Sequence, residues 1–188
     1  INGANVYNAN ATVNLANVTT DLGKAIQKLM AADVPLIIQQ HPAGGEAVAQ
    51  AITARPGWIF SPRTYMYLTT VQNGQGFYAF RPEMMQGTLW GFPYRVTSQV
   101  PETMTAADAD TGGTSTEVYF GAFAHAVIGE ALGLMVDAST EAAYNNGSGT
   151  VVAAFSQDQT VVRVISEHDF ALRHDKAFAR IKSVNWGA

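Results

Sequence analysis

The fold turns on the stretch from Glu117 to Lys182, where VYFGAF (Val118–Phe123), LGLMVDAS (Leu132–Ser139) and TVVRVISEHDFALRHDKAFARI (Thr160–Ile181) follow one another. Runs of β-branched and aromatic residues broken by turn residues read as paired strands. GTLWGFPYRVTSQVP (Gly87–Pro101), just upstream, has the same grammar. Asn145–Gly149 is a turn between strands, and Ala177, Ala179 and Ile181 alternate with Lys176, Arg180 and Lys182 as in a half-buried strand. Val118–Val136 is nearly long enough to cross a bilayer and contains Gly129-x-x-x-Gly133. His125 and Glu130 near its middle make insertion costly, and no Lys or Arg brackets it, so it reads as two short buried strands joined by a turn.

Upstream the signals are mixed. Residues 1–18 lack a period and read as a loop or arm. A helix is expected to begin near Thr19, Thr20 or Asp21, with Leu22, Ala25, Ile26, Leu29 and Met30 on its inner face, and to end at Pro35. After a short apolar piece (Leu36–Gln40) and the turn His41–Gly45, Glu46–Ala54 is helix-prone. Trp58–Phe60 reads as a buried strand. Arg63–Gln72 reads as a helix with Ser61 as cap and Pro62 at its first position. Phe77–Phe80 and Tyr94–Val100 are expected as strands, Arg81–Thr88 as a loop and Glu102–Thr116 as a mobile polar loop.

The chain has 188 residues, of which 47% are hydrophobic and only 14% charged. The charged share is below the roughly 25% usual for soluble domains. Either part of the surface meets protein, or the surface is a neutral one rich in Ala and Gly. A net charge of −4 gives little electrostatic grip on nucleic acid. The local cluster Arg173, Lys176, Arg180 and Lys182 reads as the wet face of a strand. There are no cysteines, hence no disulfide, thiol nucleophile or Cys-ligated metal. The chain starts at Ile1, without a basic, apolar leader, and something is expected to precede it.

No constellation of residues carries chemistry, so no catalytic, cofactor-binding or metal-binding residue is assigned. The histidines are His41, His125, His168 and His174. His168 and His174 would lie about 20 Å apart on a straight strand, too far to share an ion. Glu167, His168 and Asp169 alternate faces. Gly147-Ser148-Gly149 sits in an Asn/Gly turn and does not read as a nucleophile elbow, and no phosphate-binding glycine loop is present. The remaining enzymatic reading is a hydrolase using His168 or His174 with Asp169 or Asp175.

Taken in order, six stretches resemble the major capsid proteins of tailed bacteriophages with the Hong Kong 97-type fold. They are WIFSPRTYMYL (Trp58–Leu68), Gly87–Pro101, VYFGAF, LGLMVDAS, Phe155–Asp158 with Val161–Arg163, and FALRHDKAF (Phe170–Phe178). Ala122 stands where the family has an aspartate, and Glu130 stands near the place of a basic residue. The resemblance implies an α+β fold, chiefly the axial domain, a mixed sheet flanked by helices at about 19–155 and 176–188. Peripheral-domain strands are expected at about 156–175. The N-terminal arm, extended hairpin and spine helix of the family would all precede this region, which is then the C-terminal part of a subunit. The implied function is a structural, non-enzymatic shell subunit of a phage or prophage. It would assemble with copies of itself into pentamers and hexamers around double-stranded DNA, with scaffolding and portal proteins as further partners. No cofactor, membrane or tight nucleic-acid binding is implied. Its location would be the virion, and the bacterial cytoplasm during assembly. The alternative is a bacterial nanocompartment shell of the encapsulin type, binding cargo proteins.

Overall fold

The computed structural model describes residues 5–32, 34, 54–104 and 114–188. By their contacts they fall into two compact units, Ile1–Ala126 with Leu172–Ala188, and Val127–Ala171. The second unit begins earlier than the strands expected at about 156–175.

The first unit is built on a six-stranded mixed sheet. Its strands are β1 (Val6–Asn8), β2 (Pro56–Phe60), β3 (Thr88–Leu89), β4 (Phe92–Val96), β5 (Thr116–Ala122) and β10 (Phe178–Val184), in the order β1-β10-β5-β2-β4-β3. The β1/β10 and β2/β4 pairs are parallel, while β10/β5, β5/β2 and β4/β3 are antiparallel. Among the described residues three α-helices accompany it: α1 (Leu15–Met30), α2 (Pro62–Thr70) and α3 (Arg81–Met84). Val18, Leu22, Ala25 and Leu29 recur at helical spacing on α1 and share one core cluster with Trp58, Phe60, Val118, Phe120 and Ile181. Each large side chain buried this way contributes roughly 1.5–3 kcal/mol. Trp58 adds a bond from its indole Nε1–H to the Leu89 carbonyl at 3.0 Å, so its one polar atom is not orphaned.

Helix α1 starts four residues before the earliest expected cap. Asn14 takes that role, with Oδ1 accepting from Asn17 N–H at 2.8 Å. Thr19 and Thr20 sit inside the helix, their hydroxyls donating to the carbonyls of Leu15 and Ala16. Asp21 is fully buried and accepts from the backbone and side-chain N–H groups of Asn10, at 2.8 and 2.7 Å. It therefore fastens the preceding chain instead of opening the helix. That chain is not wholly loop, since β1 lies parallel to β10 and Asn5 donates to the Lys176 carbonyl.

Helix α2 and its cap match the expectation: Pro62 is at the first position and Ser61 Oγ accepts from Thr64 N–H. Arg81–Thr88, expected as loop, includes α3, whose Met84 is buried. Phe77–Phe80 is no strand; only Tyr78 makes an isolated bridge, to Gln72. β4 ends at Val96, short of the expected Val100. It is joined to β3 by Trp90 and Gly91, both with positive φ (53° and 76°), the backbone of a two-residue hairpin whose twist matches its strands. Leu36–Gln40, His41–Gly45 and most of Glu46–Ala54 lie outside the described residues, as does 105–113 of the polar loop. The loop's ends are fastened, with Met104 N–H bonded to the Ser115 carbonyl and Thr116 Oγ1–H to that of Pro101.

The second unit contains most of β6 (Ala126–Ser139) and β9 (Val161–Leu172), paired as a ribbon, and the hairpin β7 (Ala143–Asn145)/β8 (Val151–Ala153). The Asn145–Gly149 turn falls where expected, with Gly147 and Gly149 at φ 82°. Val118–Val136 is thus not two short buried strands. β5 is short and buried, whereas β6 has 14 residues and almost all are exposed.

Candidate assembly surface

Three surfaces bear on what the chain can do. The first is the ribbon. Arg163 Nη2 pairs with Asp137 Oδ2 at 2.8 Å, so odd-numbered residues of β6 and β9 share a face. The opposite face then carries Ile128, Leu134 and Val136 from β6 and Val162, Val164 and Phe170 from β9. All six are exposed, Ile128 at 75% and Phe170 at 60%. The residues of this unit alone leave that apolar face uncovered. Glu130, Ser166 and His168 interrupt this face; isolated exposed apolar residues are ordinary, but six gathered on one face mark an interaction surface.

The second is the sheet face turned away from α1. Trp58, Phe60, Val118 and Phe120 point into the helical core, so Gly57, Ile59, Glu117, Tyr119 and Gly121 point the other way. A cleft of about 820 Å³ opens there, lined by Gly57, Ile59, Pro93 and Phe123, with Arg55 and Arg95 beside them. Gly121 needs its hydrogen: a Cβ there would lie 2.0 Å from Cδ1 of Phe178.

The third is a polar patch on that same face. Glu117 is 1% exposed and accepts from Arg180 through both Nε and Nη2. Its other oxygen accepts from the Tyr119 hydroxyl. Burial, then the bond to Glu117, pushes the Tyr119 phenol well above its ordinary pKa. Arg180, grouped in sequence with a solvated face, is therefore the partner of a buried carboxylate, which needs one.

The residues weighed for catalysis fall in two separate places. His168 lines a shallow depression with Gly129, Glu130, Ala131, Glu167 and Asp169. His174 packs edge-on against His125 at 5.0 Å between ring centroids, and His125 Nδ1 is buried without a hydrogen-bond partner among the described residues. That pairing was invisible in the sequence, because His125 ends the short 3-10 turn before β6 and His174 lies in the bend after β9, segments that meet only through tertiary contacts. Among the described residues no group of three or more His, Cys, Asp or Glu is placed to hold a metal ion, and no helix is long and apolar enough to cross a membrane. His41 lies outside the described residues.

Residues 7–183 match the family model of the Phage capsid family. Over 118 residues the chain is 43% identical to the major capsid protein of Klebsiella oxytoca phage phiKO2, covering 63% of this chain and 26% of that protein. A solved structure from Mycobacterium phage Ogopogo superposes with a TM-score of 0.61 at 14% identity, over 95% of this chain and 53% of that one. One from Mycobacterium phage Che8 gives 0.53 at 10% identity, over 94% and 52%. The mixed sheet with its few helices is the Hong Kong 97-type α+β fold. The chain belongs to the Phage capsid family. It spans about a quarter of the curated relative and about half of the two solved chains. Neither the nanocompartment reading nor the hydrolase reading draws support from these matches.

Proposed function

We propose that this chain is part of the major capsid protein of a tailed phage or prophage. Its copies associate into pentamers and hexamers that close into an icosahedral shell around double-stranded DNA. The observation that carries this reading is the uncovered apolar face of the β6/β9 ribbon. It is a surface without convergent chemistry that gains by being covered with protein. Membership of the family and the 43% identity to a phage major capsid protein support it. In this reading the unit 1–126 with 172–188 is the axial domain and 127–171 belongs to the peripheral domain. Scaffolding and portal proteins are the further partners the role calls for, the virion is its location, and the host cytoplasm is where it assembles. The shell acts by geometry alone: one contact repeated around five- and six-fold axes closes a container.

Electron microscopy of the complete subunit, expressed with its gene neighbours, tests this. Closed particles of uniform diameter are the expected result; soluble monomers under every condition overturn it. The 188-residue chain alone is expected to remain monomeric or form small oligomers by light scattering.

A further inference from the structure

The cleft on the sheet face turned away from α1 has a defined chemistry. Its floor is Gly57, Ile59, Pro93 and Phe123, and beside them stand two arginines, Arg55 and Arg95, both exposed. Neither pairs with a carboxylate among the described residues. An apolar hollow beside two open guanidinium groups fits an apolar side chain with a carboxylate close behind it.

One stretch of this chain has that form. Phe155 is the most exposed of the large hydrophobic residues described, at 81%. It stands on a turn that is already built. The N–H groups of Gln157 and Gln159 both donate to the Ala154 carbonyl, Ser156 Oγ–H donates to that of Ala153, and Ala154 is itself fully buried. Asp158 closes the turn in the left-handed region at φ 52°, and it is exposed with no cation paired to it among the described residues. A knob held in shape before docking loses little freedom on binding. Phe77 is the rival. It is 68% exposed on a turn held by Asn73 Oδ1, but the charged residue that follows it is Arg81. A cation there meets the arginines of the cleft with the wrong sign, so charge decides for Phe155.

Resting on the shell-subunit reading, we propose that the cleft of one copy receives the Phe155–Asp158 turn of a neighbouring copy. Phe155 fills the apolar hollow and Asp158 pairs with Arg55 and Arg95. Knob and cleft are different surfaces, so the contact is head-to-tail and can propagate around a ring.

These 188 residues contain no cysteine, so a direct test is clean once any cysteine elsewhere in the complete subunit is replaced by serine. Ile59→Cys and Phe155→Cys are introduced together into the complete subunit, and assembled particles are treated with diamide, which takes the two thiol hydrogens as the disulfide forms. A ladder of covalently linked subunits is expected. No ladder from intact particles overturns the proposal. So does a ladder when Phe77→Cys replaces Phe155→Cys, or capture of Ile59→Cys by a cysteine placed in residues 35–53 of the same chain. Separately, Arg55→Glu with Arg95→Glu should lower particle yield about tenfold, and Asp158→Arg added to them should restore it. Normal particles from the double charge reversal sink the proposal and leave the shell reading intact. A parent subunit that forms no particles at all sinks both.

Discussion

The central sheet and the β6/β9 ribbon are written in the same residues and end in opposite places. On β5 and β10, Val118, Phe120, Ala179 and Ile181 are fully buried. On the ribbon, Ile128, Leu134, Val164 and Phe170 are more than half exposed. The difference is in what covers them. The sheet has α1 and α2 from the same unit on one face, and its hydrophobic strands are satisfied locally. The ribbon carries a largely apolar face, interrupted by Glu130, Ser166 and His168, that nothing in its own unit covers. Apolar strand patterning therefore marks a surface that must be buried, without saying whether the cover comes from nearby in the chain or from another molecule.

Substitutions should separate the two regions by size of effect. Trp58→Ala on β2 removes a fully buried ring from the centre of the core and should cost about 3–5 kcal/mol, read as a fall in the urea midpoint of the chain. A loss below about 1 kcal/mol would mean that the sheet does not depend on its core as described.

Glu117→Ala should rank next. It leaves Arg180 facing a mostly buried site without its carboxylate, and it removes the acceptor of the Tyr119 hydroxyl. About 2–3 kcal/mol is expected, below the full cost of breaking a buried pair because Arg180 keeps some contact with water. Adding Arg180→Leu should return part of the loss, and a double variant as unstable as the sum of the singles would deny the coupling.

Asp21 gives a smaller effect that depends on pH. Burial raises its carboxyl pKa, against the opposing pull of the Asn10 hydrogen bonds and Lys24. With the folded pKa above the unfolded one, this group favours the fold when protonated, and that contribution is lost as pH rises through the folded pKa. Asp21→Asn keeps the buried site neutral at every pH, and the Asn10 amide can turn to meet it. The parent should therefore gain thermal stability relative to Asp21→Asn as pH falls from 7 towards 4. A difference that stays flat, or grows the other way, contradicts the assignment. Asp21→Ala, which strands both Asn10 donors, should cost about 1–3 kcal/mol at neutral pH.

The smallest effect on stability belongs to the ribbon. Ile128→Ser and Phe170→Ser should each change the unfolding midpoint of the chain by no more than the equivalent of about 0.5 kcal/mol, since neither side chain is buried. In the complete subunit the same two changes should suppress particle formation. A large loss of stability in the isolated chain would show that the ribbon has a cover of its own.

Much of the sheet could be read in advance. VYFGAF and the Phe178–Val184 strand announce themselves because alternate residues enter one core, and Ser61-Pro62 announces α2 because cap and first-turn chemistry is local. What was missed depended on distant partners. Asp21 looks like a cap because aspartate favours caps, yet Asn10 draws it into the interior. Arg180 looks solvated because Glu117, its partner, is on another strand. β6 looks buried because its composition is apolar, and composition does not record exposure. The cleft was missed for the same reason: Arg55 and Arg95 come together only when β2 and β4 lie side by side.

Among the described residues, the outermost members of the central sheet are its two briefest. β1 has three residues beside β10, and β3 has two beside β4. Their backbones offer an incoming strand almost no length of open ladder along which to extend the sheet. In the shell-subunit reading proposed above, copies crowded together are thereby steered away from fibrils, and side chains, not main-chain amides, choose the neighbours.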